Sequence, residues 1–195
     1  MDLNKTYWQQ RYLEGRTGWD LGAASPPIQA YIDQLGRTDQ RILVPGAGRG
    51  FEAEYLYRKG FANFTVLDIA PFPLKQLADR LPPEFPAERL VEGDFFEYSG
   101  GPFDLILEHT FFCALPLQDR TRYAEKMAEL LRPGGILAGL LFDFPLTPDG
   151  PPFGGSPEEY KTLFAPAFSI RVLERARNSI PPRAGRELFF IFEKK

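Results

Sequence analysis

The chain has little of what metal centres, disulfide frameworks and nucleic-acid surfaces are made from. Its 195 residues hold one cysteine, Cys113, and one histidine, His109. One of each cannot assemble the usual zinc sites, so no metal is expected, and no internal disulfide can form. A reducing cytoplasm is the compartment this suggests. Lysine and arginine number 23 against 26 aspartates and glutamates, a net charge of −3, which leaves no basic footprint for nucleic acid. The longest clean apolar run, Ile136 to Phe142, falls far below the ~20 residues needed to cross a bilayer. Met1-Asp2-Leu3-Asn4 lacks the charged-then-apolar pattern of a secretory signal. No repeat, low-complexity tract or linker-like stretch interrupts the chain, and its length suits one domain, residues 1–195, with a full core. What is there is ordinary for a soluble globular protein, 44% apolar and 25% charged. Phenylalanine is abundant at 18 residues. Several stand near predicted loops, where some are expected to line a pocket.

The stretch Arg41-Ile42-Leu43-Val44-Pro45-Gly46-Ala47-Gly48-Arg49-Gly50 runs an apolar strand straight into a loop with glycines at alternate positions. Glycine lets backbone approach a ligand closely while adopting dihedrals closed to other residues. A helix is predicted over Phe51 to Lys59, then a second apolar strand, Phe64-Thr65-Val66-Leu67, ending at Asp68. An acid at that tip, about 20 residues past the glycines, is placed to hydrogen-bond ribose hydroxyls. The spacing narrows the ligand further. A dinucleotide site requires G-x-G-x-x-G with the pyrophosphate on the helix N-terminus. Here no glycine falls at the third required place, and Glu52 would set negative charge in the first helical turn, against a phosphate. An adenosyl ligand without phosphate fits better, and S-adenosylmethionine (SAM), a sulfonium with an amino-acid tail, is one. The alternative is a tight strand-to-helix turn with no ligand.

Along the chain, Asn4 to Glu14 carries Tyr7, Trp8, Arg11 and Tyr12 at helical spacing, and Pro27 to Leu35 reads as a second short helix stopped by Gly36. A glycine-rich loop, Gly15 to Gly22, separates them. Residues 1–38 are therefore read as a cap and 39–195 as an α/β core. In the core, strands at Arg41 to Val44, Phe64 to Asp68, Arg89 to Glu92, Phe103 to Glu108 and Ile136 to Phe142 alternate with helices at Phe51 to Lys59, Pro71 to Leu81 and Asp119 to Leu131. Such alternation implies a mainly parallel sheet covered on both faces. Two closing strands, Phe168 to Arg175 and Arg186 to Glu193, are joined by a proline-containing loop without a helix, which predicts an antiparallel pair at one edge. In open sheets of this kind ligands lie beyond the carboxyl ends of the strands. Polar or unusual residues do gather there: Asp68-Ile69, Glu92-Gly93-Asp94-Phe95-Phe96, Glu108-His109-Thr110 and Asp143-Phe144-Pro145.

Taken together, Val44 to Gly50, Leu67-Asp68-Ile69, Glu92 to Phe96 and Leu131-Arg132-Pro133-Gly134-Gly135 resemble the motifs of class I SAM-dependent methyltransferases. The more particular segments Gly15 to Gly22, His109-Thr110-Phe111-Phe112-Cys113-Ala114 and Gly150-Pro151-Pro152-Phe153 resemble the thiopurine/thiol methyltransferase family, whose members include halide and thiocyanate enzymes. The resemblance covers nearly the whole chain. It implies a Rossmann-like, doubly wound, mainly parallel seven-stranded sheet with an antiparallel C-terminal edge and an N-terminal helical cap. It further implies that Trp8 and Trp19 of the cap pack over the cofactor, with Tyr12 one turn from Trp8 on the same helix face. Gly46 and Gly48 match the loop beside the methionine moiety, Asp68 the ribose acid, and Asp94 with Phe95 the adenine contacts, with Ile69 a further cofactor contact. His109 falls where the family has a residue touching the cofactor, although other members often carry a different side chain.

Chemistry agrees with these assignments. Aromatic faces attract a sulfonium without hydrogen bonding it, at about 0.5 to 2 kcal/mol each. Methyl transfer is an in-line displacement that asks mainly for positioning, with reacting atoms about 3 to 3.5 Å apart. Phe111, Phe112, Phe144 and Phe153 follow strands and are candidates for a water-poor acceptor pocket. Each residue also has a plainer reading. Trp8, Trp19 and the phenylalanines can be core, Asp68 a helix cap before Pro71, and Asp94 a turn residue after Gly93. Cys113 is expected to be a buried small hydrophobe, while Tyr160 and Arg120 are expected on surface helices. No catalytic triad is visible, but histidine is the side chain suited to accepting a proton near neutral pH, which makes His109 a candidate proton acceptor. The expected activity is methyl transfer from SAM to a small sulfur nucleophile or halide, with Pro145 to Tyr160 helping to cover the site. The alternatives are an O- or N-methyltransferase of the same fold and a SAM-binding protein without turnover. A small molecule is the expected partner, with neither nucleic acid nor membrane, and the chain is expected to act as a monomer or weak homodimer.

Overall fold

The computed structural model describes residues 2–147 and 150–195. Five strands run parallel: β1 (Ile42–Pro45), β2 (Phe64–Asp68), β3 (Leu90–Glu92), β4 (Phe103–His109) and β5 (Leu131–Phe142). Two more, β6 (Phe168–Arg175) and β7 (Glu187–Lys194), pair antiparallel, and β7 lies antiparallel against β5. The order β3-β2-β1-β4-β5-β7-β6 makes one seven-stranded sheet. Chain direction across the sheet reverses between β1 and β4, the place where open α/β sheets bind ligands.

Strand residues alternate between the two faces and each face has its own core. Leu43, Leu67, Ile106, Leu137 and Phe190 point to one side, where α5 (Arg120–Leu130) and α6 (Pro157–Phe164) bring Tyr123, Met127, Tyr160 and Phe164. Ile42, Val44, Val66, Leu105 and Ala138 point to the other, against Ile28 of α2 (Pro26–Ile32), Leu56 of α3 (Phe51–Arg58) and Leu77 of α4 (Pro71–Ala78). The cap begins with α1 (Lys5–Leu13), whose start is set by Asn4: its side chain accepts the Tyr7 N–H at 3.0 Å. Among the described residues no helix is long and apolar enough to cross a membrane.

The predicted elements form, with three departures. β5 starts at Leu131 rather than Ile136, because Leu131 already pairs with Phe103 before residues 132–135 loop out and Ile136 pairs with Leu105. The helix α6 was not among the predicted elements. It begins at a proline and is capped by Ser156, whose hydroxyl accepts the Glu159 N–H at 3.3 Å. Finally, Tyr160 and Arg120 are buried, not exposed on surface helices. Arg120 reaches from α5 to Glu159 of α6, donates to the Gly154 carbonyl at 2.6 Å and lies over the Phe112 ring, while the Tyr160 hydroxyl donates to the Phe142 carbonyl at 2.6 Å. The segment following β5 folds back onto α5 through these two side chains. Periodicity within either helix could not show that contact.

Candidate functional site

A cavity of ≈ 840 Å³ opens over the carboxyl ends of the parallel strands and runs beneath the cap. Its floor is the glycine loop after β1. Gly46 and Gly48 both have positive φ, 56° and 53°, which ordinary residues avoid. A side chain at Gly46 would collide with the Phe111 ring, and one at Gly48 would come within 2.6 Å of the Tyr12 hydroxyl. Asp68, the last residue of β2, is 6% exposed and turns its carboxylate back to this loop. Oδ2 accepts the Gly48 N–H at 2.7 Å and Oδ1 the Ala70 N–H at 2.8 Å. Burial raises its pKa to about 6 against the pull of those amides.

Three cap aromatics stand over the floor. Trp19 is edge-to-face with both Trp8 and Tyr12, at centroid separations of 5.6 and 5.7 Å. The Arg11 guanidinium lies 5.2 Å from the Trp19 ring centre. Tyr12 is buried, and that burial, with Asp68 nearby, raises the pKa of its hydroxyl. On the far side of the floor, Ile69, Asp94 and Phe95 line the cavity after β2 and β3. The Asp94 side chain also accepts the Phe96 N–H at 2.8 Å, so the residue makes the predicted turn as well as a stretch of wall.

The chain after β4 makes a sharp bend that decides which side chains face the cavity. Thr110 has φ 60°, the only positive value on a non-glycine among the described residues. Buried Glu108 anchors the bend: Oε1 accepts the N–H groups of Phe111 at 2.8 Å and Phe112 at 2.9 Å, and Oε2 accepts the Tyr123 hydroxyl. Burial drives the Glu108 carboxyl above its ordinary range, and these donors only partly counter it. Phe111 is thereby laid against Gly46 on the cavity wall. Phe112 goes the opposite way. It does not line the cavity but fills the core between Tyr123, Tyr160 and Phe164, which corrects its expected place in the acceptor pocket. Phe153 is corrected likewise: it is buried with its N–H donated to the Cys113 carbonyl at 2.8 Å, and it is absent from the wall. Phe144 does line the cavity, under the Arg186 guanidinium at 4.8 Å, alongside Phe142, Pro151 and Pro152. Cys113 is buried beside them, its thiol pKa raised by burial and by nearby Glu108.

His109 is held from both ends. Its Nδ1 lies 3.0 Å from Glu52 Oε1, and its Nε2 lies 3.0 Å from Arg183 Nη1. A guanidinium only donates, so Nε2 acts as acceptor here and Nδ1–H donates to Glu52. Glu52 also accepts the Ser25 N–H at 3.0 Å. Burial alone would lift its carboxyl, but His109 and Ser25 more than offset this and the net shift is downward. Arg183 continues the chain to Glu187, at 3.3 Å, and to the Trp19 carbonyl, at 2.6 Å. Glu52 in the first turn of α3 is thus spoken for by the cap, and that turn offers no phosphate cradle.

Arg183 and Arg186 line the cavity as well, the first in the loop ahead of the last predicted strand and the second at that strand's predicted start, and neither was a candidate from the sequence. A signal was available. A strand antiparallel to β5 must begin at the rim where β5 ends, and Glu187 does pair with Phe142. The loop ahead of β7 therefore arrives at the ligand side. Among the described residues no group of three or more histidines, cysteines and acids is placed to hold a metal.

Comparison with known proteins agrees with this geometry. The probable thiol methyltransferase 2 of Arabidopsis thaliana is 30% identical over 184 residues, covering 92% of this chain and 81% of that protein. The thiopurine S-methyltransferase of Acinetobacter baylyi is 27% identical over 196 residues, with 88% of each covered. The 1,6-didemethyltoxoflavin-N1-methyltransferase of Burkholderia thailandensis, solved with bound 1,6-didemethyltoxoflavin and S-adenosylhomocysteine, superposes with a TM-score of 0.75 at 23% identity, over 98% of this chain and 87% of that one, and shows the same fold. The family model for thiopurine S-methyltransferase (TPMT) matches residues 3–194. With the family model matching nearly the full length, the chain belongs to the thiopurine S-methyltransferase family, whose members are SAM-dependent methyltransferases.

Proposed function

We propose that this member of the family transfers a methyl group from SAM to a small sulfur nucleophile, such as a thiol, sulfide, thiocyanate or thiopurine, or to a halide. One observation carries the reading. A single cavity joins a corner floored by glycine and tipped by an acid, suited to an adenosine, to a chamber walled by Phe111, Phe142 and Phe144. The residues present fit such a donor: the aromatic faces of Trp8, Tyr12 and Trp19 suit a sulfonium, and the glycine loop leaves room where side chains would collide. When bound, SAM supplies an electrophilic methyl group.

The chain's own residues bind, orient and exclude water. Asp68 accepts ribose hydroxyls while its amide partners keep it in place. Asp94, Phe95 and Ile69 flank the adenine, and the cap, residues 1–38, closes over the sulfonium. For an anionic acceptor, charge is dispersed as the new bond forms, so an aromatic chamber favours the transition state over the separated ions. His109 serves here as a fixed wall residue, because both ring nitrogens are engaged. It would accept a proton only after Arg183 moved away. That arrangement supports acceptors that ionise easily, and weighs against phenols or alcohols that need a strong base. The enzyme acts in the cytoplasm on a small molecule, without nucleic acid or membrane, as a monomer or weak homodimer.

Transfer of labelled methyl from SAM across a panel of thiol, sulfide, thiocyanate, iodide and thiopurine, with a phenol and an amine as controls, tests the reading. Label on the sulfur or halide acceptors is the expected result. Label only on the phenol or amine would assign the site to oxygen or nitrogen chemistry, and tight S-adenosylhomocysteine binding with no product at all would make this a binding protein.

A further inference from the structure

Beside the glycine loop the cavity holds an ion pair with an unmet requirement. Asp20 follows Trp19 in the cap, and Arg49 follows Gly48 in the loop. Both line the cavity, so the two arrive from opposite sides of one corner. Asp20 Oδ2 and Arg49 Nε lie 3.2 Å apart, yet both atoms are sealed from solvent without a hydrogen bond. The Asp20 side chain is 10% exposed, and its other oxygen accepts the Gly22 N–H at 2.9 Å, which fixes the direction of the carboxylate. Buried charges normally have their hydrogen bonds filled, and leaving them unfilled is costly.

Among the described residues, the other buried acids on this cavity are committed. Asp68 takes the Gly48 and Ala70 amides, Glu52 takes Ser25 and His109, and Glu108 holds the bend after β4. Among them Asp20 alone keeps a buried oxygen without a hydrogen bond. The glycine loop itself, Gly46 to Gly50, contains no acid, so an ammonium lying over it finds no carboxylate there.

We propose that Asp20 and Arg49 receive the α-amino-acid end of the donor, the Asp20 carboxylate taking the ammonium and the Arg49 guanidinium the carboxylate. The inference rests on the donor reading above. A zwitterion placed between them replaces one misaligned contact with two charge-assisted bonds.

Titration calorimetry on the full chain with two ligands tests this: S-adenosylhomocysteine, and 5'-methylthioadenosine, which keeps the adenosine and thioether but has no amino-acid tail. Asp20→Asn is expected to weaken S-adenosylhomocysteine by about tenfold or more, the scale of a hydrogen bond to a charged group, while methylthioadenosine is unaffected. Arg49→Gln, at a side chain 31% exposed, is expected to do the same and stands in should the first variant fail to fold. Equal weakening of both ligands, or an unchanged S-adenosylhomocysteine affinity, overturns the inference and leaves the donor reading standing. Wild-type protein that binds neither ligand overturns both.

Discussion

The two ends of the cavity are built on different plans. The floor of the donor end consists of residues at or just after the ends of β1 to β3, and backbone groups hold it: Asp68 between two amides, Asp94 on the Phe96 N–H, and glycines where no side chain fits. The acceptor end draws Cys113, Phe142, Phe144, Pro151 and Arg183 from separate segments, and side chains brace it, such as Arg183 on Glu187 and Arg186 over Phe144. A cradle made of backbone cannot be altered without disturbing the sheet. A chamber made of side chains can change shape by substitution while the scaffold stays put, which is how one fold serves several acceptors.

Substitutions can break or sharpen that contrast. The largest effect is expected from neighbours that the bend after β4 sends opposite ways. Phe112→Ala should cost about 3 to 5 kcal/mol of stability in urea unfolding, as for other buried aromatics, and leave S-adenosylhomocysteine affinity of the folded fraction unchanged. An affinity loss there would mean that core and wall are not separate. Next, Asp68→Ala should weaken S-adenosylhomocysteine by about 1 to 3 kcal/mol, and an unchanged dissociation constant would reduce the acid to a structural cap.

The raised pKa of Asp68, about 6, adds a pH dependence. In the ligand-free fold the neutral form is favoured, so its stabilising contribution is complete below the ordinary aspartate range and is lost as pH rises through about 6. Ribose hydroxyls need the ionised form as acceptor, so donor affinity runs the other way. It should strengthen from pH 5 to 7.5, with a proton released on binding near pH 6. Calorimetry in buffers of different ionisation enthalpy reads that proton, and an affinity flat across this range would sink the assignment. The smallest effect is expected at the lid. Trp19→Ala removes one aromatic face, about 0.5 to 2 kcal/mol, and should raise KM for SAM and slow turnover. Both parameters at wild-type values would show that the lid does not close on the donor.

How much of this was legible in the sequence depends on the range of each interaction. The glycine loop and Asp68 were readable because the strand, loop, helix and acid follow in order within one β-α-β unit, and backbone geometry places them. Phe111 and Phe112 were not separable, because a single left-handed residue, Thr110, and one buried acid decide which ring meets the cavity. Tyr160 on α6 and Arg120 on α5 read as surface positions because what covers each of them belongs to other elements, brought together only by the fold. Arg183 stands in a loop whose place at the rim follows only from β7 running antiparallel to β5, so that Glu187 pairs with Phe142.

By itself, then, the sequence determined the alternation of strands and helices, the antiparallel edge, the glycine floor and the acid above it, and with them the class of donor. These depend on local pattern and short-range backbone constraint. Only the tertiary structure decided which phenylalanines face the cavity, that His109 is locked between Glu52 and Arg183, and that Asp20 meets Arg49. Those are meetings between residues tens of positions apart. Their distances follow from how the cap, the sheet and its last strands pack together, and no periodicity along the chain encodes them.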